Sequence, residues 1–454
     1  MTDYKKIDLY LESNLRTSLA ELKTYCAQPS VAAQNLGMEE TAILTLEMLK
    51  SRGFSGKIYQ TEGFPVVVAE RKGVSDKTLL IYNHYDVQPA EPLDLWTSPP
   101  FEPQERDGKV FGRGISDDKG HFTSRLFAID ALLDTYGELP CNIKFIIEGE
   151  EEIGSIHLPE FIKDHQGLLG ADACVWEFGY VDHRNVPMQY LGLRGICYVE
   201  LSIETASKDV HSGLGGSIFP NAAWRLVWAL NTLKRQDERI LLPGFYDDVV
   251  KPTERDINML AALPPVTEEY KSRYGLKGFL KDYPDETALQ TASVFEPTCT
   301  ICGLTSGYQG KGSKTVLPAL ASAKVDFRLV PNQKPKKVLE QLRAHLDKNG
   351  FQDINIEFLG GEPAARTDPD DPFVKLVVDT SEDAYGKPMQ LVPLVGGSGP
   401  NYEFIHTLKV PVVSTGIGYP GTNAHAPDEN IKIDFYLKGS KHIARIIKSF
   451  GESN

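Results

Sequence analysis

Four glutamates fall within five positions of the segment IIEGEEEIGS, residues 146–155, directly after an apolar run typical of a buried strand. They are Glu148, Glu150, Glu151 and Glu152. Carboxylates this close repel one another, and a buried carboxylate without a cation takes up a proton instead of staying ionised. The segment therefore predicts a bound cation, with a solvated acidic turn as the alternative.

Other residues of metal-ligating type follow apolar runs elsewhere in the chain. His84 and Asp86 end TLLIYNHYD, Asp117 lies in the glycine-rich GRGISDDKG, Glu177 ends ACVWEF, and His425 lies in NAHAPDEN. Each residue by itself is compatible with a structural role. Together they supply the imidazole and carboxylate groups that hard to borderline divalent cations prefer. The set predicts a metal centre.

His84 and Asp86 are two residues apart, so on a strand their side chains would share one face. Asp86 could then accept a hydrogen bond from one ring nitrogen of His84. That bond would leave the other nitrogen free for a metal ion.

The elements that must position these residues alternate between strand and helix. Apolar strand-like runs at residues 78–84, 142–148 and 173–178 are separated by helical patterns at 120–137 and 158–169. This alternation predicts an α/β domain with a mostly parallel sheet sandwiched by helices. Ligands gather at the carboxyl ends of such strands, where the candidate residues lie.

The pattern changes to the order βαββαβ after about residue 194, which predicts a smaller α+β domain of the split βαβ type. A length of 454 residues also exceeds what one hydrophobic core normally supports. We predict a larger domain formed by residues 1–193 and 366–454, interrupted by the smaller domain at 194–365.

Composition excludes several classes of partner. The 48 Lys+Arg and 62 Asp+Glu residues give a net charge of −14, which is unsuited to holding nucleic acid or an anionic membrane surface. No run has the length of a membrane span, and the first residues lack the apolar core of a signal peptide. The 6 scattered cysteines do not form a disulfide framework of the secreted type. We predict a cytoplasmic protein.

The motifs NHYDVQP, GRGISDDKG, EGEEEIGS, DVHSG and NAHAPDEN, together with Glu177, resemble those of the M20 family of metallopeptidases. The segments LLPGFYDDVVKPTERD, GSKTVLP and DFRLVP are similar to its cytosolic dipeptidase, carnosinase-like branch. The resemblance covers nearly the whole chain. It implies that the inserted domain is a lid that also forms a homodimer, and that the Asp117–Asp118 peptide bond is cis.

The resemblance also implies two divalent metal ions per subunit, with zinc as the first expectation and manganese or cobalt as alternatives. Asp117 would bridge the two ions. His84 and Glu177 would complete one position, and Glu152 and His425 the other. The remaining implied catalytic residues are Glu151, as general base, and Asp86 behind His84.

Substrate contacts are expected mostly in the inserted domain. The resemblance implies that His211 stabilises an oxyanion in the active site of the partner subunit, whereas its alternative role is that of a turn histidine. Arg328 interrupts an apolar strand, and a guanidinium is well suited to a free C-terminal carboxylate. Thr315 and Ser398 match substrate-contacting positions of the family, although such residues in glycine-rich turns often only form turns.

The implied activity is hydrolysis of the amide bond of dipeptides or small peptides with a free C-terminal carboxylate. Two residues depart from the branch: Glu177 stands where its dipeptidases usually have Asp, and Glu362 where they have His. N-acyl amino acid deacylases and desuccinylases of the same fold usually have Glu at the first position, so N-acyl amino acids are alternative substrates. An alternative of another class is a catalytically silent binding protein, which typically lacks a ligand or the base.

Overall fold

A computed structural model of the chain describes residues 4–453. In chain order the helices are α1 (Lys5–Ala27), α2 (Met38–Lys50), α3 (Lys119–Tyr136), α4 (Leu158–Asp164), α5 (Gln166–Leu169), α6 (Ser212–Gly215), α7 (Ala222–Asn231), α8 (Glu254–Ala261), α9 (Thr267–Tyr274), α10 (Glu286–Phe295), α11 (Pro335–Lys348), α12 (Pro372–Asp379), α13 (Ser381–Tyr385) and α14 (Ile433–Glu452).

The strands are β1 (Ser55–Tyr59), β2 (Val66–Arg71), β3 (Ser75–His84), β4 (Gln104–Arg106), β5 (Lys109–Phe111), β6 (Cys141–Glu148), β7 (Ala173–Trp176), β8 (Tyr180–Val181), β9 (Pro187–Tyr190), β10 (Gly192–Leu193), β11 (Gly195–Glu204), β12 (Val210–His211), β13 (Thr300–Ser306), β14 (Val316–Leu317), β15 (Leu320–Leu329), β16 (Asn355–Glu362), β17 (Ala365–Arg366), β18 (Gln390–Val392), β19 (Val412–Ser414) and β20 (Asn430–Lys432).

The chain divides into two compact units. The first contains the residues through Gly192, Arg366–Pro393, and the residues from Gly399 onward, and the second contains Leu193–Ala365 and Leu394–Ser398. This division differs from the predicted domains at Leu193 and at the short segment Leu394–Ser398, both of which lie in the second unit.

The first unit is built around a sheet with the strand order β1-β2-β6-β3-β7-β19. Strand β3 runs parallel to β6 and to β7, and β7 runs parallel to β19. The pairs β1–β2 and β2–β6 are antiparallel, so a hairpin forms one edge. The predicted α/β class with a mostly parallel sheet is confirmed. The edge hairpin is a feature that the sequence analysis missed.

Burial explains why the parallel strands carry continuous apolar runs. The second half of β3 and all of β7 are buried, as are nearly all residues of β6. Helix α3 is buried through most of its length and packs against α1 and α14. Strands in such a sheet are covered on both faces, so they lack the alternation of half-exposed strands. Because β3, β6 and β7 are parallel, their carboxyl ends meet at one edge of the sheet.

The second unit contains an antiparallel sheet with the order β13-β15-β11-β16. Helices α7 and α11 pack on this sheet. Buried side chains of β11 and β15 form one hydrophobic core with buried side chains of the two helices. Along β11 buried and less buried residues alternate, as expected when one sheet face is covered. The four strands and two helices follow the predicted βαββαβ order. Helices α8, α9 and α10 occupy the long stretch between α7 and β13.

Within residues 4–453, no helix combines the length and apolar character that crossing a membrane requires.

Candidate metal centre

Asp117 lies between two histidines in the first unit. Its Oδ1 atom is 3.1 Å from Nε2 of His84, and its Oδ2 atom is 3.0 Å from Nε2 of His425. The Asp117–Asp118 peptide bond is cis. Each oxygen of one carboxylate thus faces a different imidazole, as expected for a residue shared by two cations.

His84 is the last residue of β3, and its ring is oriented by Asp86. Nδ1 of His84 lies 3.1 Å from the backbone oxygen of Asp86 and 3.3 Å from its carboxylate. Both are acceptors, so Nδ1 carries a proton, and Nε2 is the nitrogen that a metal ion can use once the ring is neutral. Glu177, directly after β7, places Oε2 3.9 Å from the same Nε2.

The predicted placement of His84 and Asp86 on one strand is wrong in detail. Strand β3 ends at His84, and Asp86 lies in the loop beyond it. The contact is nevertheless formed, since both the backbone oxygen and the carboxylate of Asp86 lie close to Nδ1 of His84. The shared-face argument therefore reached the right contact through the wrong geometry.

His425 and Glu152 form the other side of the centre. Oε2 of Glu152 lies 3.2 Å from Nε2 of His425, and one ligand atom from each of Asp117, Glu152 and His425 lies within 4.8 Å of the others. Gln88 donates to Oε2 of Glu152 at 2.8 Å. The side chain of His425 is 53% exposed, whereas that of His84 is 0% exposed. The two sides of the centre therefore differ in their access to solvent.

Glu151 and Glu152 lie on a single 3₁₀ turn, Glu151–Ile153, after β6. The carboxylate of Asp86 accepts from the backbone N–H of Glu151 at 3.3 Å and of Glu152 at 2.9 Å. Asp86 thus fixes both the His84 ring and this turn. Burial, reinforced by the nearby Glu177 carboxylate, raises the pKa of Glu151 well above the usual range of a glutamate. A carboxyl group poised in this way suits proton transfer.

Glu148 and Glu150 have structural partners. Glu148 accepts from the hydroxyls of Tyr82 at 2.7 Å and Ser155 at 2.9 Å. Glu150 contacts Nδ1 of His157 at 2.8 Å. Both glutamates are buried, and burial raises the pKa of Glu148 to about 8. The alternative of a solvated acidic turn is therefore wrong.

The pKa shifts in the centre reflect an excess of carboxylates over histidines. Burial opposes the charging of His84, yet hydrogen bonds to Asp117 and Asp86 raise its pKa well above the usual value. Hydrogen bonds to Asp117 and Glu152 raise the pKa of His425 to about 10. Burial favours the neutral form of Asp117, but the two histidines hold its pKa well below the usual range. The histidines thus act as counter-cations to the acids.

These residues fit divalent cations. The buried atoms Glu152 Oε1 and Glu177 Oε2 have no hydrogen-bond partner among the described residues. Burial, together with neighbouring carboxylates, also raises the pKa of both carboxyls. A metal ion competes with the protons on such groups and satisfies both their charge and their lone pairs. The nitrogen and oxygen donor set is one that zinc, manganese and cobalt accept.

Glu429 supports the centre and was missed by the sequence analysis. It is fully buried, and its Oε1 accepts from the backbone N–H of Ser116 at 2.8 Å and Asp117 at 3.0 Å. Its Oε2 accepts from the N–H of Gly114 at 2.9 Å and from Arg113 at 2.7 Å. This carboxylate holds the loop that presents Asp117. A glutamate in a loop motif resembles a solvated residue, so the sequence gives no signal of this role.

The remaining candidate residues lie in the second unit and form two pairs. His211 ends β12, which pairs with β14, and the N–H of Ser212 donates to the carbonyl of Thr315 at 3.1 Å. Both His211 and Thr315 are exposed. Nδ1 of His211 accepts from the N–H of Gly213 at 3.0 Å, so the proton of a neutral ring lies on Nε2.

Arg328 and Ser398 form the second pair. Nη1 of Arg328 donates to Oγ of Ser398 at 2.8 Å, and Nε lies 3.5 Å from Asp326. Ile196 pairs with Arg328 on one neighbouring strand and with Glu362 on the other. The three residues are therefore cross-strand neighbours with side chains on the same face of the sheet. The roles of these residues as substrate contacts stay predictions.

The family emerges from comparison with known proteins. Residues 80–449 match the model of peptidase family M20/M25/M40. The Cys-Gly metallodipeptidase dug1 of Schizosaccharomyces pombe is 30% identical over 376 residues, which cover 81% of this chain and 78% of that protein. The Beta-Ala-His dipeptidase of Homo sapiens is 35% identical over 286 residues, 62% of this chain and 56% of that protein.

A solved structure extends the similarity to the whole fold. The M20 family metallo-carboxypeptidase Sso-CP2 from Sulfolobus solfataricus matches with a TM-score of 0.92 and 39% identity, covering 96% of this chain and 99% of that one. The family match spans every candidate metal ligand from His84 to His425. The chain therefore belongs to peptidase family M20/M25/M40.

Proposed function

We propose that this protein is a dinuclear metal-dependent dipeptidase that hydrolyses dipeptides or small peptides with a free C-terminal carboxylate. The observation that carries the proposal is the position of Asp117 between His84 and His425, with the Glu151–Glu152 turn beside it. Relatives named for Cys-Gly and Beta-Ala-His hydrolysis, and a solved metallo-carboxypeptidase, support this class of substrate.

Two divalent ions would share Asp117. His84 and Glu177 would hold one ion, and Glu152 and His425 the other, with zinc as the proposed metal and manganese or cobalt as alternatives. When bound, such a pair polarises a carbonyl group and lowers the pKa of a water molecule from 15.7 to about 7.

Glu151 is the proposed proton carrier. The carboxylate of Asp86 holds the backbone of its turn in place, so the side chain of Glu151 extends from a fixed point next to Glu152. A carboxylate in this position can accept a proton from the attacking water and return that proton to the leaving amine. Asp86 also keeps Nδ1 of His84 protonated, which leaves Nε2 as the ligand atom.

The second unit supplies the proposed substrate contacts. Arg328 would bind the C-terminal carboxylate through its guanidinium, with Ser398 beside it. His211 would donate from Nε2 to the oxyanion that forms on the scissile carbonyl, because its Nδ1 is already occupied by Gly213. Thr315, on the neighbouring segment, would contact the substrate next to His211.

The alternatives receive less support. The curated relatives described above are named dipeptidases, and the chain retains a complete set of His and carboxylate ligands with Glu151. A catalytically silent binding protein and an N-acyl amino acid deacylase are therefore not favoured. Glu177 and Glu362 still distinguish this chain from the branch pattern, so the assay must include both substrate classes.

A substrate and metal screen tests the proposal. After prolonged chelation, verified by elemental analysis, hydrolysis of Cys-Gly and β-Ala-His should disappear, because the ligands can no longer activate water. Added Zn²⁺, Mn²⁺ or Co²⁺ should restore it. The C-terminal amides of the same dipeptides should be poor substrates, since they lack the charge that Arg328 would bind.

Three outcomes would contradict the proposal. Faster hydrolysis of N-acetyl amino acids than of unblocked dipeptides would identify a deacylase. Full activity in metal-free protein would exclude the metal-dependent mechanism. Absence of hydrolysis by the fully metallated protein on both substrate classes would favour the binding-protein alternative.

We also propose that the protein is a homodimer. Helices α6 and α7 and the turn between them present five apolar side chains that are 46% to 76% exposed. They are Leu214, Ile218, Phe219, Trp224 and Trp228. Exposed apolar groups clustered in this way mark protein interfaces, and aromatic residues are enriched in such interfaces. A second copy of the chain would cover this face.

Replacing Trp224 and Trp228 together with glutamate should convert the dimer to a monomer, because two charges would have to be buried against the second copy. Light scattering after size exclusion measures the change. Val74→Glu is the matched control, since Val74 is 73% exposed in the first unit. A monomeric wild type, or an unchanged dimer in the double variant, would exclude this face as the interface.

The cytoplasm is the proposed location. All 6 cysteines are free in the structure, and 5 of them are buried. Buried free thiols are typical of a reducing compartment.

A further inference from the structure

Arg125 is a buried arginine whose neighbours belong to the proposed metal centre. It lies on α3 and is 1% exposed. Arginine is almost never fully buried unless its charge and N–H groups have partners. The sequence analysis gave it no role, because its position within an apolar helical stretch carries no chemical signal.

The guanidinium of Arg125 holds the backbone at the end of β7. Its Nη2 atom donates to the carbonyl of Trp176 at 2.5 Å and to that of Glu177 at 2.6 Å. These carbonyls lie where the chain leaves the sheet and where the Glu177 side chain begins. Glu177 has three side-chain torsions, so a fixed backbone is needed for its carboxylate to reach one ligand position reproducibly.

The same guanidinium also reaches the backbone of His84 through an acid. Nη1 of Arg125 is 4.0 Å from Oδ1 of Asp118. The other oxygen of Asp118 accepts from the side chain of Asn83 and, at 3.1 Å, from the backbone N–H of His84. Arg125 is thus connected to the backbone of His84 and Glu177, the two unshared ligands of one proposed metal position.

Different residues hold a ligand of the other proposed metal position. Gln88 holds the carboxylate of Glu152, and Asp86 holds its backbone N–H. No hydrogen bond or ion pair of the described residues links Arg125 to Glu152 or His425. The two positions therefore rest on different supporting residues, although they share Asp117.

We propose that Arg125 is the positioning residue of the His84–Glu177 metal position. It holds the backbone from which the Glu177 side chain extends, and it balances the charge of Asp118. It acts selectively on the His84–Glu177 metal position. The inference rests on the proposed two-metal function. Loss of residues that orient metal ligands typically lowers metal affinity about 10- to 100-fold, so Arg125 should affect one of two ions by this amount.

Metal binding to the apoprotein tests the inference without an activity assay. Co²⁺ titration, followed by calorimetry and visible absorption, should show two equivalents in the wild type. Arg125→Met should keep one equivalent and weaken the other about 10- to 100-fold. Arg125→Lys should give an intermediate loss, because it retains the charge but cannot form all the same contacts.

Arg52→Met is the matched control. Arg52 is also a largely buried arginine that contacts α3, through Asp130, and it pairs with Glu21. Its loss should lower the thermal stability while leaving both Co²⁺ equivalents unchanged. If Arg125→Met does not fold, Arg125→Lys carries the comparison.

Double variants identify which position is affected. Arg125→Met should add nothing to Glu177→Ala, in which that position is already lost. The same change added to Glu152→Ala should weaken the binding of the remaining ion about 10- to 100-fold. The inference is overturned if Arg125→Met and Arg125→Lys bind two equivalents with wild-type affinity, or lose both equally. Failure of the wild type to bind Co²⁺ would instead overturn the proposed function.

Discussion

Replacing Glu151 with glutamine should lower kcat by about 10²- to 10⁴-fold while leaving two metal equivalents per chain, because an amide cannot accept the proton of the attacking water. The change is nearly isosteric. The backbone N–H of Glu151, which donates to Asp86, remains in place. Steady-state kinetics combined with elemental analysis of the same sample measures both effects.

Two matched substitutions separate the roles of the adjacent glutamates. Glu152→Gln should lower metal content together with activity, since Glu152 faces His425. Glu160→Gln, an exposed position in the first turn of α4, should change neither. If Glu151→Gln lost metal and Glu152→Gln kept it, the two roles would have to be exchanged.

The second large effect is a recovery of activity in mixed dimers, which is expected if His211 acts in the active site of the partner subunit. Glu151→Ala and His211→Ala proteins should each be nearly inactive. When their subunits are mixed and allowed to exchange, each mixed dimer should have one site with both lesions and one with neither. Random reassociation makes about half of the dimers mixed, so activity should recover to about a quarter of the wild-type value.

Each parent taken through the same exchange procedure alone provides the control. The fraction of mixed dimers is measured with differently tagged subunits. An arrangement in which His211 serves its own chain predicts no recovery even when mixed dimers form. That result would return His211 to the role of a turn histidine, consistent with its acceptance of the Gly213 N–H.

The sequence predicted the positions of the candidate side chains well where burial and periodicity determine position. Strands β3, β6 and β7 are continuous apolar runs because they are covered on both faces, and parallel strands necessarily present their ends together. His84, Glu152 and Glu177 could therefore be assigned to one edge of the sheet.

Contacts between distant loops could not be predicted in this way. Glu429 holds the Asp117 loop across 312 residues of sequence, and Arg125 binds carbonyls 51 and 52 residues away. Backbone carbonyls and N–H groups occur at every position, so residue types do not reveal which of them a side chain meets. Only the folded path of the chain determines these partners.

The segment Leu394–Ser398 bears on how the second unit could be exchanged among relatives of this protein. A graft that joined a foreign insert at residues 193 and 365 would remove Arg328 but leave its hydrogen-bonded companion Ser398 on the recipient chain. The N–H of Arg194, which donates to the carbonyl of Gly397, would be separated from its acceptor in the same way. Recombination at the two obvious junctions therefore breaks a proposed recognition element, and a functional chimera has to carry both pieces of chain together.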